Sequence, residues 1–293
     1  MQDNSALLRR FLSLQESIVQ QIRVTLRTLA SLVVLLALVS AGAAQNSTAK
    51  AWQMLESGAA AEKPDDRATA VRVLGLLSGD SRAVKLAEKA LQDPDEKVRA
   101  AAATALGQMG AKSSDQKLRE ALKDDDVGVV MAAAHALHAL GDPTAYEVYY
   151  AVLTGERKSG EGLLEKQKKM LKDPKKMAQF GFEQGLGFVP FASLGYGVIK
   201  AVRRDDVSPV RAAAAKVLAD DPDPRSGKAL EDAASDNSWI VRAAALDAIA
   251  RRGDPALIKA PELAMADENS AVRFTAAAAV VRLSGKAGKA KDR

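Results

Sequence analysis

Residues 93–106 read DPDEKVRAAAATAL, and the pattern returns without gaps as DDVSPVRAAAAKVL (205–218), DNSWIVRAAALDAI (236–249) and DENSAVRFTAAAAV (267–280). In each copy an arginine follows an aspartate by six positions: Asp93 and Arg99, Asp205 and Arg211, Asp236 and Arg242, Asp267 and Arg273. Arg211, Arg242 and Arg273 are 31 residues apart, and Arg67, in the weaker copy RATAVRVLGLL (67–77), precedes Arg99 by 32. The stretch DDVGVVMAAAHALHAL repeats the pattern from Asp125 with Met131 in the arginine's place. Self-similarity at this period marks a repeat array, whose units cannot bury an apolar face alone and do so by stacking.

Each unit reads as two helices. Asp95, Ser208, Ser238 and Asn269 or Ser270 stand where an N-cap side chain can accept from the free backbone N–H groups of the first turn, and Pro209 suits a first helical position. Apolar residues then recur at helical spacing, as in Val98, Ala101, Ala102, Ala105, Leu106 and Met109, so one stripe is expected to be buried and the opposite side to carry charge. Gly-Asp-Pro at 141–143 and 253–255 ends one helix and opens the next pair, because glycine accepts a left-handed cap and proline cannot continue a helix.

These residues resemble HEAT repeats, of the short variety found in phycobilin-lyase-like proteins, over about residues 64–153 and 203–285. The resemblance implies an all-α protein: a right-handed α-solenoid of about six helical pairs, here carrying a glycine- and aromatic-rich insertion. It further implies a structural ladder of turn aspartates and helix arginines, carried over to Asp93, Arg99, Asp125, Asp205, Arg211, Asp236, Arg242, Asp267 and Arg273, with one rung lacking its cation at Met131.

Composition agrees with close-packed helices. Aromatic residues are 4% of the chain against 47% hydrophobic overall, so the apolar content is small and aliphatic. There is no cysteine, which removes disulfides, thiolate catalysis and cysteine-held metals. At the N-terminus four arginines precede the uncharged run LASLVVLLALVSAGAA (29–44), a short apolar core ending in small residues. This is the pattern of an export signal, with an uncleaved membrane anchor as the alternative. The expected organisation is a signal at 1–44, repeats at 45–153, an insertion at 154–203, repeats at 204–285 and a basic tail at 286–293; the expected location is periplasmic or secreted.

The period fails between Leu153 and Arg203, where a basic stretch broken at Asp173-Pro174 leads into FGFEQGLGFVPFASLGYG (180–197). Residues 155–204 hold eleven basic and five acidic side chains. Three readings fit: a structural element folded onto the solenoid, a partner-binding element anchored by Phe182, Phe188, Phe191 and Tyr196, or contact with an anionic membrane surface through residues 177–204. Trp239 is a further candidate for partner contact or for packing between repeats. The glycines match no phosphate-binding loop.

Other chemistry is thin. His135 and His138 lie three apart on one expected helix, and no carboxylates at a defined spacing accompany them to complete a metal site. HEAT-type hydroxylases hold iron with His-Glu pairs, whereas both histidines here are followed by alanine; the resemblance to phycobilin lyases offers no residue for a chromophore. No cofactor is expected. Beyond residue 44 the charge is nearly balanced, so nucleic acid is not an expected partner. The sequence therefore points to a non-enzymatic, exported scaffold that binds another protein through its solenoid face, with a peripheral membrane protein and a lyase-like enzyme as alternatives.

Overall fold

A computed structural model describes residues 46–154 and 207–291, with side chains over 46–150 and 207–285. The leader at 1–44, the ladder residue Asp205, the four insertion aromatics Phe182, Phe188, Phe191 and Tyr196, and nearly all of the insertion at 154–203 lie outside the described residues. From Thr48 onward the described residues form one compact unit.

Among them there are twelve α-helices and no strand. In chain order these are α1 (46–59), α2 (Pro64–Val73), α3 (Ser81–Ala90), α4 (Glu96–Met109), α5 (Asp115–Ala121), α6 (Val127–Leu140) and α7 (Thr144–Thr154), then α8 (Ser208–Val217), α9 (Pro224–Ala233), α10 (Trp239–Arg252), α11 (Lys259–Ala264) and α12 (Ser270–Lys291). Helix α12 runs on through most of the segment expected as a basic tail.

Local chemistry sets the helix starts. Asp95 accepts from Lys97 N–H at 2.9 Å, Asp126 from Val129 N–H at 3.1 Å and Asn269 from Ala271 N–H at 2.9 Å, each such cap contributing about 1 kcal/mol. Two expected caps differ. Ser238 occupies the N-cap of α10 without a side-chain cap bond, and Ser208 is already the first helical residue of α8, with Val207 at its N-cap. The ends of α4 and α6 are closed by Gly110 and Gly141 at φ 69° and 83°, where Ala111 N–H returns to the Leu106 carbonyl and Asp142 N–H to that of Leu137.

The even-numbered helices form one layer and the odd-numbered helices pack over it. The core is largely alanine, punctuated by Leu106, Leu137, Leu246 and Ile249, all fully buried. Small side chains permit close approach: a Cβ on Gly107 of α4 would sit 2.8 Å from the Ala136 Cα of α6. Ties across the odd layer include Lys117 of α5 to Glu88 of α3 at 2.6 Å. The Arg82 guanidinium of α3 stacks 4.5 Å from the Trp52 ring centroid of α1.

Spatial order departs from chain order. Along the even layer, α8 packs on α10, α10 on α12, α12 on α2, α2 on α4 and α4 on α6. The second block of repeats thus precedes the first in the stack. Helix α1 closes the seam: Gly58 lies between the Phe274 ring of α12 and Ala70 of α2. The Arg282 guanidinium of α12 also donates to the Leu76 carbonyl just beyond α2. Helices α7 and α8, consecutive in chain order among the described helices, flank opposite ends of this row: α7 packs on α6 and α8 on α10.

Candidate binding site

The ladder has a fixed internal geometry. Arg67, Arg99, Arg242 and Arg273 all sit on the fourth residue of an even helix, and each turns Nη1 onto two carbonyls of the preceding turn: Ala61 and Glu62, Asp93 and Pro94, Asp236 and Asn237, Asp267 and Glu268. That leaves Nε and Nη2 as a fork directed at the next repeat. Arg67 grips Asp93 with both at 2.8 Å, Arg99 grips Asp124 at 2.7 and 2.9 Å, and Arg242 grips Asp267 at 2.7 and 2.9 Å. Arg211 pairs with Asp236 through Nη2. The same carboxylates cap the turn, accepting from the N–H groups of Asp95, Asp126, Ser238 and Asn269.

Two residues of the expected ladder shift by one. The carboxylate facing Arg99 is Asp124, not Asp125, and the arginine position of that repeat falls on Val130, not Met131. The run Asp124-Asp125-Asp126 conceals the register; the structure resolves it because Asp126 is the N-cap of α6, and the fourth residue of α6 is the buried Val130.

Paired this way, the carboxylates are held acidic. For Asp93 the bond from Arg67 is the main cause of its lowered pKa, with burial opposing it. For Asp124 and Asp267 burial is the largest single influence and acts upward, but the bonds from Arg99 and Arg242, with backbone N–H donors, bring both below the usual carboxylate range.

One rung has no acid. The position that carries Asp93, Asp124, Asp236 and Asp267 in the other turns is Ala61 in the turn between α1 and α2. This is the turn that Arg273 faces across the seam. The two meet in a cleft of about 410 Å³, lined by Arg273 and Phe274 from α12, Lys50 and Met54 from α1, and Asp66 of α2 beside Ala61. Among the described residues no side chain accepts from Nε or Nη2 of Arg273, and Asp66 makes no ion pair with it.

The remaining candidates sit elsewhere. Trp239 is the first residue of α10, half-buried and packed against the core. His138 meets the rings of Tyr146 and Tyr149 edge-on at 5.5 and 6.3 Å, and His135 Nδ1 lies 3.3 Å from Tyr149 Oη, so both belong to an aromatic cluster where α6 meets α7. Burial lowers the His135 pKa, with the neighbouring His138 adding to it, and burial raises that of Tyr149. Among the described residues no group of three or more His, Cys, Asp or Glu is placed to hold a metal ion, and no helix is long and apolar enough to cross a membrane. The residue six before Arg67 is an alanine where the five other copies have an aspartate, but only the stacking order shows that this alanine faces Arg273.

The profile for HEAT repeats matches residues 53–138 and 196–280, more than half of the chain. Similar solved structures include the complex of CpcE and CpcF of phycocyanin lyase from Nostoc sp. PCC7120, at 21% identity and a TM-score of 0.31, covering 78% of this chain and 93% of that one. Human deoxyhypusine hydroxylase in complex with glycerol matches at 16% and 0.27, covering 82% and 98%, and a designed armadillo repeat protein at 18% and 0.25, covering 79% and 98%. No curated protein sequence matches the chain. The structural likenesses are too loose to carry an activity across, whereas the repeat profile and the two-layer stack agree: the chain belongs to the HEAT-repeat family.

Proposed function

We propose that this protein is a non-catalytic scaffold that binds another protein along its row of helices. The observation that carries the reading is the row itself: six even-numbered helices, each packed on the next, with arginine–carboxylate rungs at four of the five steps. Stacks of this kind present a long continuous surface suited to a macromolecular partner. The test is site-specific photo-crosslinking in the native cell from positions along the row, followed by reconstitution with the purified partner. A defined protein that crosslinks and rebinds with a measurable Kd supports the reading; crosslinks to no protein from any position overturn it.

Export belongs to the same proposal and is supported by the sequence alone. Residues 1–44 are taken as the signal, the repeat blocks 45–153 and 204–285 as the working body and 154–203 as an accessory segment, placing the protein in the periplasm or outside the cell. N-terminal sequencing of the protein from its native cell, giving a start near Gln45, supports this; a protein beginning at Met1 in the cytosolic fraction overturns it.

A further inference from the structure

At the seam between α12 and α2 the arginine is anchored like Arg67, Arg99 and Arg242, but among the described residues it meets no carboxylate. Arg273 is held by Nη1 to the Asp267 and Glu268 carbonyls at 2.8 Å each, which orients the guanidinium before any ligand arrives. In Arg67, Arg99 and Arg242 the same orientation delivers Nε and Nη2 to a carboxylate at 2.7 to 2.9 Å. At Arg273 that carboxylate is replaced by the methyl group of Ala61, and the space beside it is a cleft of about 410 Å³. Lys50 lines the cleft as a second cation, Asp66 as an anion, and Phe274 and Met54 supply apolar lining. A preset planar fork, with an ammonium and apolar side chains in the same lining, matches a carboxylate on a short carbon chain, because guanidinium and carboxylate pair through two parallel hydrogen bonds.

We propose that this seam cleft is a carboxylate-recognition site, in which an acidic group from outside the chain completes the rung that Ala61 leaves open. The source to which the scaffold reading points is an aspartate or glutamate side chain of a bound protein; a small free dicarboxylate shares the chemistry. The inference rests on the scaffold reading for the peptide source only, since a free acid needs no protein partner.

The experiment uses the full chain and two probes: a blocked acidic peptide, acetyl-Ala-Asp-Ala-amide, with its Asn counterpart as control, and succinate. Binding is followed by calorimetry at low salt and by the Arg273 Nε–H NMR signal. The expected result is binding of the Asp peptide with a shifted Arg273 signal, no binding of the Asn peptide, and loss of about tenfold or more in affinity in Arg273→Gln. The second variant is Ala61→Asp, which supplies the missing carboxylate from within; it is expected to raise the melting temperature and to abolish binding. Succinate binding more tightly than the peptide identifies a free acid as the source, and weaker binding identifies the side chain. No binding of either probe to the wild type, or binding that survives Ala61→Asp, overturns the proposal. Such a failure alongside a confirmed crosslinked partner sinks the site and spares the scaffold, and the reverse pattern does the opposite.

Discussion

Gly58 and Phe274, 216 positions apart in the chain, meet so closely that a Cβ on the glycine would lie 2.5 Å from the aromatic ring, with Ala70 at 2.8 Å on its other side. The contact joins α1 to α12 and sets how tightly the two repeat blocks close. Gly58→Leu should therefore lower the thermal midpoint, overpacking costing about 1–3 kcal/mol even though glycine is itself a poor helix residue. Gly107→Ala is the internal comparison, because its Cβ meets the backbone Cα of Ala136 at 2.8 Å, which has no side-chain rotamer with which to yield. Thermal denaturation of both variants checks the prediction; an unchanged or raised midpoint for Gly58→Leu contradicts it.

The rungs should differ in strength with their exposure. Arg242 and Asp267 are 12% and 11% exposed in their side chains, whereas Arg211 is 52% exposed although its partner Asp236 is 8% exposed. Removing Arg242 leaves a largely enclosed carboxylate and two turn carbonyls without their donor. Arg242→Ala is expected to cost about 2–3 kcal/mol, while Arg211→Ala is expected to cost roughly 1 kcal/mol, since solvent replaces much of what the exposed arginine provides. Urea titrations of the two variants decide the ranking.

Acid should unfold the stack. Asp93, Asp124 and Asp267 titrate lower in the folded chain than in the unfolded one, so protons bind preferentially to the unfolded state. Their contribution is complete above the unfolded aspartate pKa of about 3.9 and disappears as pH drops through the lower folded values. His135 acts in the same direction at milder pH: its lowered folded pKa costs stability as pH falls below the unfolded value of about 6.5. Urea midpoints measured from pH 8 down to pH 3 should decline in two stages, and His135→Leu should flatten the first.

Covalent continuity across the break in period should be dispensable once the protein has folded. A specific protease site placed after Gly160 and cut in the purified protein is expected to leave both pieces co-eluting in gel filtration, because α1, α2 and α12 hold them together. Combining the cut with Gly58→Leu should release them. Separation of the pieces with the wild-type seam would contradict the stacking order.

The even helices were legible because their determinants are local. Capping aspartates, alanine stripes and glycine stops act within a turn or two of the residues they affect, and Arg99, Arg242 and Arg273 fell on the positions that the repeat pattern gave them. The one-residue slip at Asp124 arose where three consecutive aspartates offered equivalent caps. The order of the blocks was not legible, since it depends on which terminal faces fit one another, a property of the distant pair Gly58 and Phe274. The open rung follows from that order: Ala61 becomes conspicuous only when Arg273 is known to face it.

The row runs from α8 to α6, five helix-to-helix steps of about 8–10 Å each, and its middle joint is the one place where the backbone does not pass from one repeat to the next. Tension applied between the two extremities therefore falls first on the α1–α2–α12 contact, which has no peptide bond along the line of pull. Under load the array should part at its centre into two shorter arrays, each still internally laced by its own arginines, and the polypeptide would keep the halves in reach of one another for reclosure.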